Sequence, residues 1–258
     1  MSSVNQTRRE AGETPVLSVR NMRKQFDSVT ALAGADVEIF EGEIVGIVGP
    51  NGAGKSTLFN CICGSIAPTE GEVYLHGEQI TGLKTEEIIQ QGLSRTFQIP
   101  RVFPELTVWD NMVANQDHAG EGLLSTLFRK TDDETQGRIQ ELLEFVELEP
   151  KLEIPAGDLS TGQQKLLNLA CTLLRDPDVV LLDEPTAGVN PGLIEDIKSI
   201  IVELNDRGWT FLIIEHNMDV VRDTTDYVYV LAQGDNLSSG NPAQTLDEPE
   251  VLEAYFGE

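Results

Sequence analysis

The chain has 258 residues, room for one large domain or a domain with a subdomain, and 40% of them are hydrophobic, enough to bury a proper core. Acidic residues number 43 against 18 basic ones, a formal net charge of −25, which argues against a nucleic-acid binder that needs a basic footprint to displace counterions. The acids are spread along the chain rather than gathered in a tail. The excess reads as a surface adapted to high salt, where self-repulsion is screened within roughly 3 Å at 1 M.

Residues 1–15, MSSVNQTRREAGETP, are polar and lack the apolar stretch of a secretory signal, so a loose tail is expected. Strand-like alternation with glycine punctuation follows in VLSVRNMRKQF, GADVEIF, EIVGIVG and GEVYLHGEQI. Between the last two, KSTLFNCICG is amphipathic, follows a Gly-rich turn and ends on Gly, which predicts a helix from Lys55 to about Gly64. From Leu106 to about Leu152 the pattern turns helical, in TVWDNMVANQ and ETQGRIQELLEFVEL, around a polar stretch at 117–135. VVLLD, TFLIIEH and DYVYVLAQG then predict strands, with helices at roughly 191–206 and 217–224 between them. Continuous apolar runs such as VVLL and FLII suit strands buried on both faces of a mainly parallel sheet. The layout is an α/β core interrupted by a helical insertion.

No apolar run approaches the roughly 20 residues needed to cross a bilayer. The protein is expected in solution, or at a membrane only through a partner. Cys61, Cys63 and Cys171 cannot all pair within one chain, and Cys61 and Cys63 face different ways on a helix. Buried, reduced thiols are expected.

GPNGAGKST at 49–57 fits G-x-x-x-x-G-K-[ST], with Gly49, Gly54, Lys55 and Ser56 in the fixed positions and Pro50, Asn51, Gly52, Ala53 and Thr57 completing the loop. Its context is the required one: strand, glycine loop, helix. Glycines let backbone N–H groups turn inward around phosphates, and a helix N-terminus adds partial positive charge. Lys55 can reach the β- and γ-phosphates, and the Ser56 hydroxyl can hold Mg²⁺. VVLLDEP at 179–185 supplies Asp183, a carboxylate at the end of a buried strand whose natural partner is the metal. Strand alternation turns Glu184 the other way, toward an attacking water. Together these motifs say hydrolysis of a nucleoside triphosphate.

LSTGQQK at 159–165, followed by LLNLACTLLRDPD and then VVLLDEP, is a rarer arrangement. Here the chain resembles the ATP-binding cassette family, from about residue 16 onward, with Thr161 in place of the first glycine of the family's L-S-G-G-Q signature. The resemblance implies a P-loop NTPase with a RecA-like mixed or parallel sheet core, an N-terminal antiparallel β part and an inserted helical subdomain. The core would span 16–105 and 160–258, and the helical subdomain 106–159. It also implies that two cassettes meet head to tail, as a homodimer or a heterodimer, with Ser160, Gly162 and Gln163 of one capping the ATP held by the other. Gln98, in SRTFQ, matches a glutamine that reaches Mg²⁺ alongside Ser56 and Asp183. His216 matches a histidine that contacts the γ-phosphate, so Glu184, His216 and Lys55 form the implied catalytic set. Phe26, 23 residues before Gly49, matches an aromatic that stacks on adenine. AGVN at 187–190 matches a loop crossing the dimer interface. His76 and His118 match nothing.

SRTFQIPRVFPELTVWDN, EPTAGVNP, IIEHNMDVV and LEAYFGE look like the longer ATP-binding subunits of branched-chain amino acid importers. Cassettes for urea, short amides or lipopolysaccharide export share much of this text, and the cargo stays open. A soluble cassette acting on DNA or ribosomes would carry two cassettes or a long coiled coil. The implied partners are integral membrane permease subunits and, indirectly, a solute-binding protein. The implied location is the cytoplasmic face of the cell membrane, and the implied ligands are ATP and Mg²⁺.

Overall fold

The structure, a computed structural model, describes residues 8–9, 11–96, 102–115 and 132–256. In the first part of the chain β1 (Leu17–Phe26) and β2 (Val29–Ile39) form a hairpin whose last pair is Phe26 with Val29. β3 (Ile44–Val48) leads through the glycine loop into α1 (Lys55–Ile62). β4 (Glu70–Leu75) and β5 (Glu78–Gln79) then join the hairpin in an antiparallel sheet of order β2-β1-β4-β5.

After α2 (Thr85–Gln90) and β6 (Leu93–Arg95) come, among the described residues, the α-helices α3 (Val108–Ala114), α4 (Asp133–Phe145) and α5 (Thr161–Leu173). Side-chain oxygens of Thr107, Asp132 and Ser160 cap their N-termini, each accepting a backbone N–H of the first turn. β7 (Val179–Asp183), α6 (Pro191–Asp206), β8 (Phe211–Ile214), α7 (Met218–Thr224), β9 (Tyr227–Ala232) and β10 (Asp235–Gly240) follow, and α8 (Pro242–Thr245) and α9 (Pro249–Phe256) close the described chain.

The second sheet has the order β10-β9-β3-β8-β7-β6, parallel except for β10. Every residue of β3, β7 and β8 is buried, as continuous apolar strands require when both faces are covered. Val45 and Ile47 join a large cluster with Leu58, Phe59 and Leu212, while Val48 joins another with Val221, Val228 and Val251. This is the mixed α/β sheet core with an antiparallel N-terminal β part that the motifs imply.

The described chain divides into two compact units. One comprises the described residues of Met1–Arg95, Asp178–Pro185 and Ile201–Glu258, and the other those of Thr96–Pro177 and Thr186–Ile200. The first carries both sheets. The second carries α3, α4 and α5. Among the described residues no helix is long and apolar enough to cross a membrane. Cys61, Cys63 and Cys171 are free and buried, and burial pushes the Cys63 and Cys171 thiols up to about 12.

The expected loose tail needs correction over its described part. Arg9 reaches the fully buried Glu43 with a two-pronged ion pair, Nη1 to Oε1 at 2.7 Å and Nη2 to Oε2 at 2.9 Å. Its guanidinium lies 3.7 Å from the Tyr227 ring centroid and also donates to the Glu38 carbonyl. Arg8 pairs with Glu13 and donates to the Glu41 carbonyl. A polar stretch reads as loose, yet two planar cations find carboxylate and aromatic partners that only the fold assembles.

Candidate nucleotide site

β3, β8 and β7 lie side by side, the first phosphate motif, His216 and Glu184 follow their C-terminal ends, and Asp183 is the last residue of β7. The register aligns those ends, with Ile47 opposite Ile214 and Ile214 opposite Asp183. Ligands bind at such strand ends in open α/β sheets.

The glycine loop is shaped by residues that tolerate no side chain. Gly49 and Gly54 have φ of +147° and +104°, and a Cβ on Gly49 would collide with the Leu231 carbonyl. A Cβ on Gly54 would lie 2.6 Å from the Ala31 carbonyl. Gly54 then caps α1, aiming the first helical N–H groups at the loop. Lys55 is largely buried, and its ammonium donates to the carbonyls of Gly49 at 2.6 Å and Pro50 at 3.0 Å. Burial pushes its pKa below the ordinary lysine value, with the Glu184 charge opposing.

Asn51, Gly52, Ala53, Gly54, Lys55, Ser56 and Thr57 line a cleft of about 470 Å³ together with Phe26, Glu184 and His216. That volume falls in the range of small-molecule sites, roughly 300–1,000 Å³. Phe26 is 43% exposed, a large apolar ring left at the cleft rather than in the core. Val29, Thr30 and Ala31 line it too, which the sequence motifs missed. Their signal was positional: they open the strand that pairs back on Phe26. Gly49 and Pro50 serve the cleft from behind, as acceptors for Lys55.

Asp183 is only 7% exposed and ends β7. Its Oδ2 lies 2.5 Å from Nη2 of Arg95, an ion pair that offsets its burial. Glu184 corrects an expectation. It does not continue the strand's alternation: φ is +50°, a left-handed turn that costs a non-glycine residue about 1–3 kcal/mol. The turn brings Oε1 to 2.9 Å from Nε2 of His216, at the cleft. His216 is held in turn by Glu215, 3% exposed, whose Oε2 accepts the backbone N–H of His216 at 3.0 Å and of Asn217 at 3.3 Å. Arg95 and Glu215 are the two supporting residues that motif reading did not single out.

Among the described residues no group of three or more His, Cys, Asp or Glu side chains is placed to hold a metal ion. Mg²⁺ takes one or two carboxylates and completes its shell with substrate phosphates and water. Ser56 and Asp183 are hard oxygen donors of the right kind. Gln98 lies outside the described residues.

The second unit presents the signature. Ser160 Oγ accepts the N–H of Gln163 at 3.3 Å, while Gln163 Oε1 accepts the N–H of Ser160 at 3.2 Å, a reciprocal capping box. Thr161 is the first helical residue, a position with no steric demand for glycine. Gly162 does meet one, since a Cβ there would collide with the Leu193 side chain. Lys165 donates to the Ala187 carbonyl at 2.6 Å. Phe26, the glycine loop, Asp183, Glu184 and His216 thus belong to one unit, and Ser160, Gly162 and Gln163 to the other.

The sequence profile described as ABC transporter matches residues 32–187. BraF of Pseudomonas aeruginosa, a high-affinity branched-chain amino acid transport ATP-binding protein, is 38% identical over 251 residues, covering 95% of this chain and 98% of its own. LivG of Escherichia coli, carrying the same description, matches with equal identity and coverage. A crystal structure of a nucleotide-free ATP-binding cassette from an ABC transporter shares 37% identity at a TM-score of 0.84, covering 95% of this chain and 100% of that one. A dimeric cassette in a post-hydrolysis state, bound to ADP and phosphate, shares 28% identity at a TM-score of 0.74, over 88% of this chain and 98% of its own. A profile match over more than half of the chain, with identity of 38% along nearly all of it, makes the chain a member of the ATP-binding cassette family of ABC transporter ATPases.

Proposed function

We propose that this ATPase energises an importer of branched-chain amino acids, as a peripheral subunit on the cytoplasmic face of the membrane. The observation that carries the cargo is the 38% identity, over essentially the whole length, to relatives named for that transport. No nucleic acid is involved, and the net charge of −25 suits a cytosol of high salt.

Phe26 stacks on the adenine, and the loop amides of 49–57 with Lys55 cradle the phosphates. Ser56, Asp183 and Gln98 would hold Mg²⁺, which would supply charge neutralisation at the phosphates. Glu184 accepts the proton of the attacking water. His216, 2.9 Å from that carboxylate, keeps it aimed into the cleft. Phosphoryl transfer depends on positioning and charge stabilisation more than on covalent steps, so these fixed groups suffice only when the cleft is complete. Completion comes from a second cassette, a copy or a sister chain, whose Ser160, Gly162 and Gln163 close over the γ-phosphate with a helix N-terminus.

Ser160→Ala tests the composite cleft. ATP turnover is expected to fall about 10²-fold, the loss typical of one transition-state donor, while ADP affinity by calorimetry stays at the wild-type value. Full turnover by the variant would remove the partner from the mechanism. Cargo is tested with vesicles carrying the membrane subunits and this chain: ATP is expected to drive leucine uptake, and an indifferent response to leucine, isoleucine and valine rejects it.

Docking on the permease is proposed at Phe103, which is 41% exposed. The fully buried Asn111 fixes its backbone, accepting the Phe103 N–H at 2.7 Å and donating to the Phe103 carbonyl at 3.0 Å. An apolar ring on a rigid turn is a contact anchor. Phe103→Ala is expected to leave the ATPase of the isolated chain near wild type and to abolish transport. Equal loss of both activities would make the residue structural only.

A further inference from the structure

Arg95 ends β6, where it pairs with Leu181 of β7, two residues before Asp183. Its guanidinium is fixed on three sides. Nη2 lies 2.5 Å from Asp183 Oδ2, Nη1 donates to Asn60 Oδ1 at 2.7 Å, and the plane lies 5.5 Å from the Phe59 ring centroid. The two charged side chains are 11% and 8% exposed. Asn60 and Phe59 belong to α1, the helix that opens with Lys55 and Ser56. The element that presents the phosphate ligands therefore also holds a cation on the carboxylate assigned to the metal.

Two cations are drawn to that carboxylate. The Arg95 hydrogen bond takes one acceptor site on Oδ2 and leaves Oδ1, so what opposes a magnesium ion there is charge rather than a filled site. In a desolvated pocket the repulsion between a guanidinium and a divalent ion is large, whereas a buried carboxylate with neither partner is costly. Either cation offsets the Asp183 charge, and their mutual repulsion opposes holding both close to it.

We propose that Arg95 is a built-in counter-ion of Asp183 that Mg²⁺ must displace, so that arrival of the metal–nucleotide complex releases the guanidinium and its departure is met by the guanidinium's return. The proposal rests on the reading of Asp183 as a magnesium ligand. Its consequence is a metal affinity set by exchange rather than by a bare carboxylate. The carboxylate is never left alone when product leaves, which favours release.

The test uses Mn²⁺ as a spin probe, titrated into the ADP complex of the full chain, with Arg95→Gln, Arg95→Lys and Asp183→Asn. Arg95→Gln is expected to bind Mn²⁺ at least fivefold tighter, within the roughly 5–150-fold span of coupled binding. Arg95→Lys keeps the charge and is expected to stay near wild type, and Asp183→Asn to bind more weakly. Unchanged or weaker Mn²⁺ binding by Arg95→Gln, with Asp183→Asn weakened, overturns the exchange and leaves Asp183 a ligand. No effect of Asp183→Asn overturns both. A measurement on the wild-type protein guards against misfolding of the variants. With ¹⁵N-labelled arginine, the Arg95 Nη signals, assigned by their absence in Arg95→Lys, are expected to be resolved with ADP alone and averaged once Mg²⁺ is added. Resolved signals in both states would show that the ion pair survives the metal, against the proposal.

Discussion

Glu184→Gln is expected to lower ATP turnover about 10²–10⁴-fold while keeping ATP bound. The substitution is isosteric and removes only the charge and the basicity. Glu184 reaches the cleft through a left-handed backbone turn, and its Oε1 meets the His216 ring at 2.9 Å. An amide keeps that turn and can still accept from the imidazole, so the variant should fold and bind like the parent. What it cannot do is take a proton from water. With hydrolysis blocked, the γ-phosphate proposed to join two cassettes would persist. Size-exclusion chromatography with ATP, at salt suited to a chain of net charge −25, is expected to show a stable dimer. A variant that turns over ATP at the parental rate, or that stays monomeric when loaded with ATP, would remove Glu184 from the role of base.

The largest effect on stability is expected from Arg9→Ala, in a segment that reads as dispensable. Glu43 is 0% exposed, and besides its two bonds to Arg9 its Oε2 accepts the backbone N–H of Phe40 at 3.1 Å. Removing one partner of a buried pair costs about 3–5 kcal/mol, because the remaining charge stays desolvated. The stacking of Arg9 on Tyr227 is lost as well. At roughly 2–4 °C per kcal/mol for a domain near this size, the melting temperature should fall by a readily measured amount. Adding Glu43→Gln to Arg9→Ala is expected to recover part of the loss, since a neutral amide is cheaper to bury. Arg9 is not among the residues lining the cleft, so KM for ATP should not move. Coincident melting curves for Arg9→Ala and the parent would reduce the arginine to decoration.

What could be read without coordinates is what local covalent chemistry dictates. The glycine loop is legible because Gly49 and Gly54 adopt backbone angles and contacts closed to other residues. Helix α6 begins and ends where its apolar spacing says, Pro191 to Asp206, and the apolar runs of β7 and β8 are buried throughout. Short elements escaped, because three residues such as Leu93–Arg95 carry no periodicity and become a strand only by pairing with β7. The partner of Asp183 escaped for the same reason. Arg95 is 88 positions away, and parallel pairing alone brings it there. The alternation argument fails at Glu184, since the pleat ends at Asp183 and a left-handed turn takes the side chain to the cleft. The anchored arginines of the N-terminal stretch show the limit of composition: polarity reports the lack of apolar surface to bury, not the lack of a charged partner already waiting.

At the start of α5, Gly162 fits against Leu193 with no room for another carbon, and Lys165 ties the helix to the carbonyl of Ala187. The groups proposed to touch a neighbour's triphosphate therefore travel on one stiff piece with the stretch Ala187–Asn190. In a pair of cassettes, any tilt of that piece at one pocket is imposed without slack on the loop beside it. The two halves would then keep a common clock, and a pair carrying one crippled copy should lose more than half of its turnover.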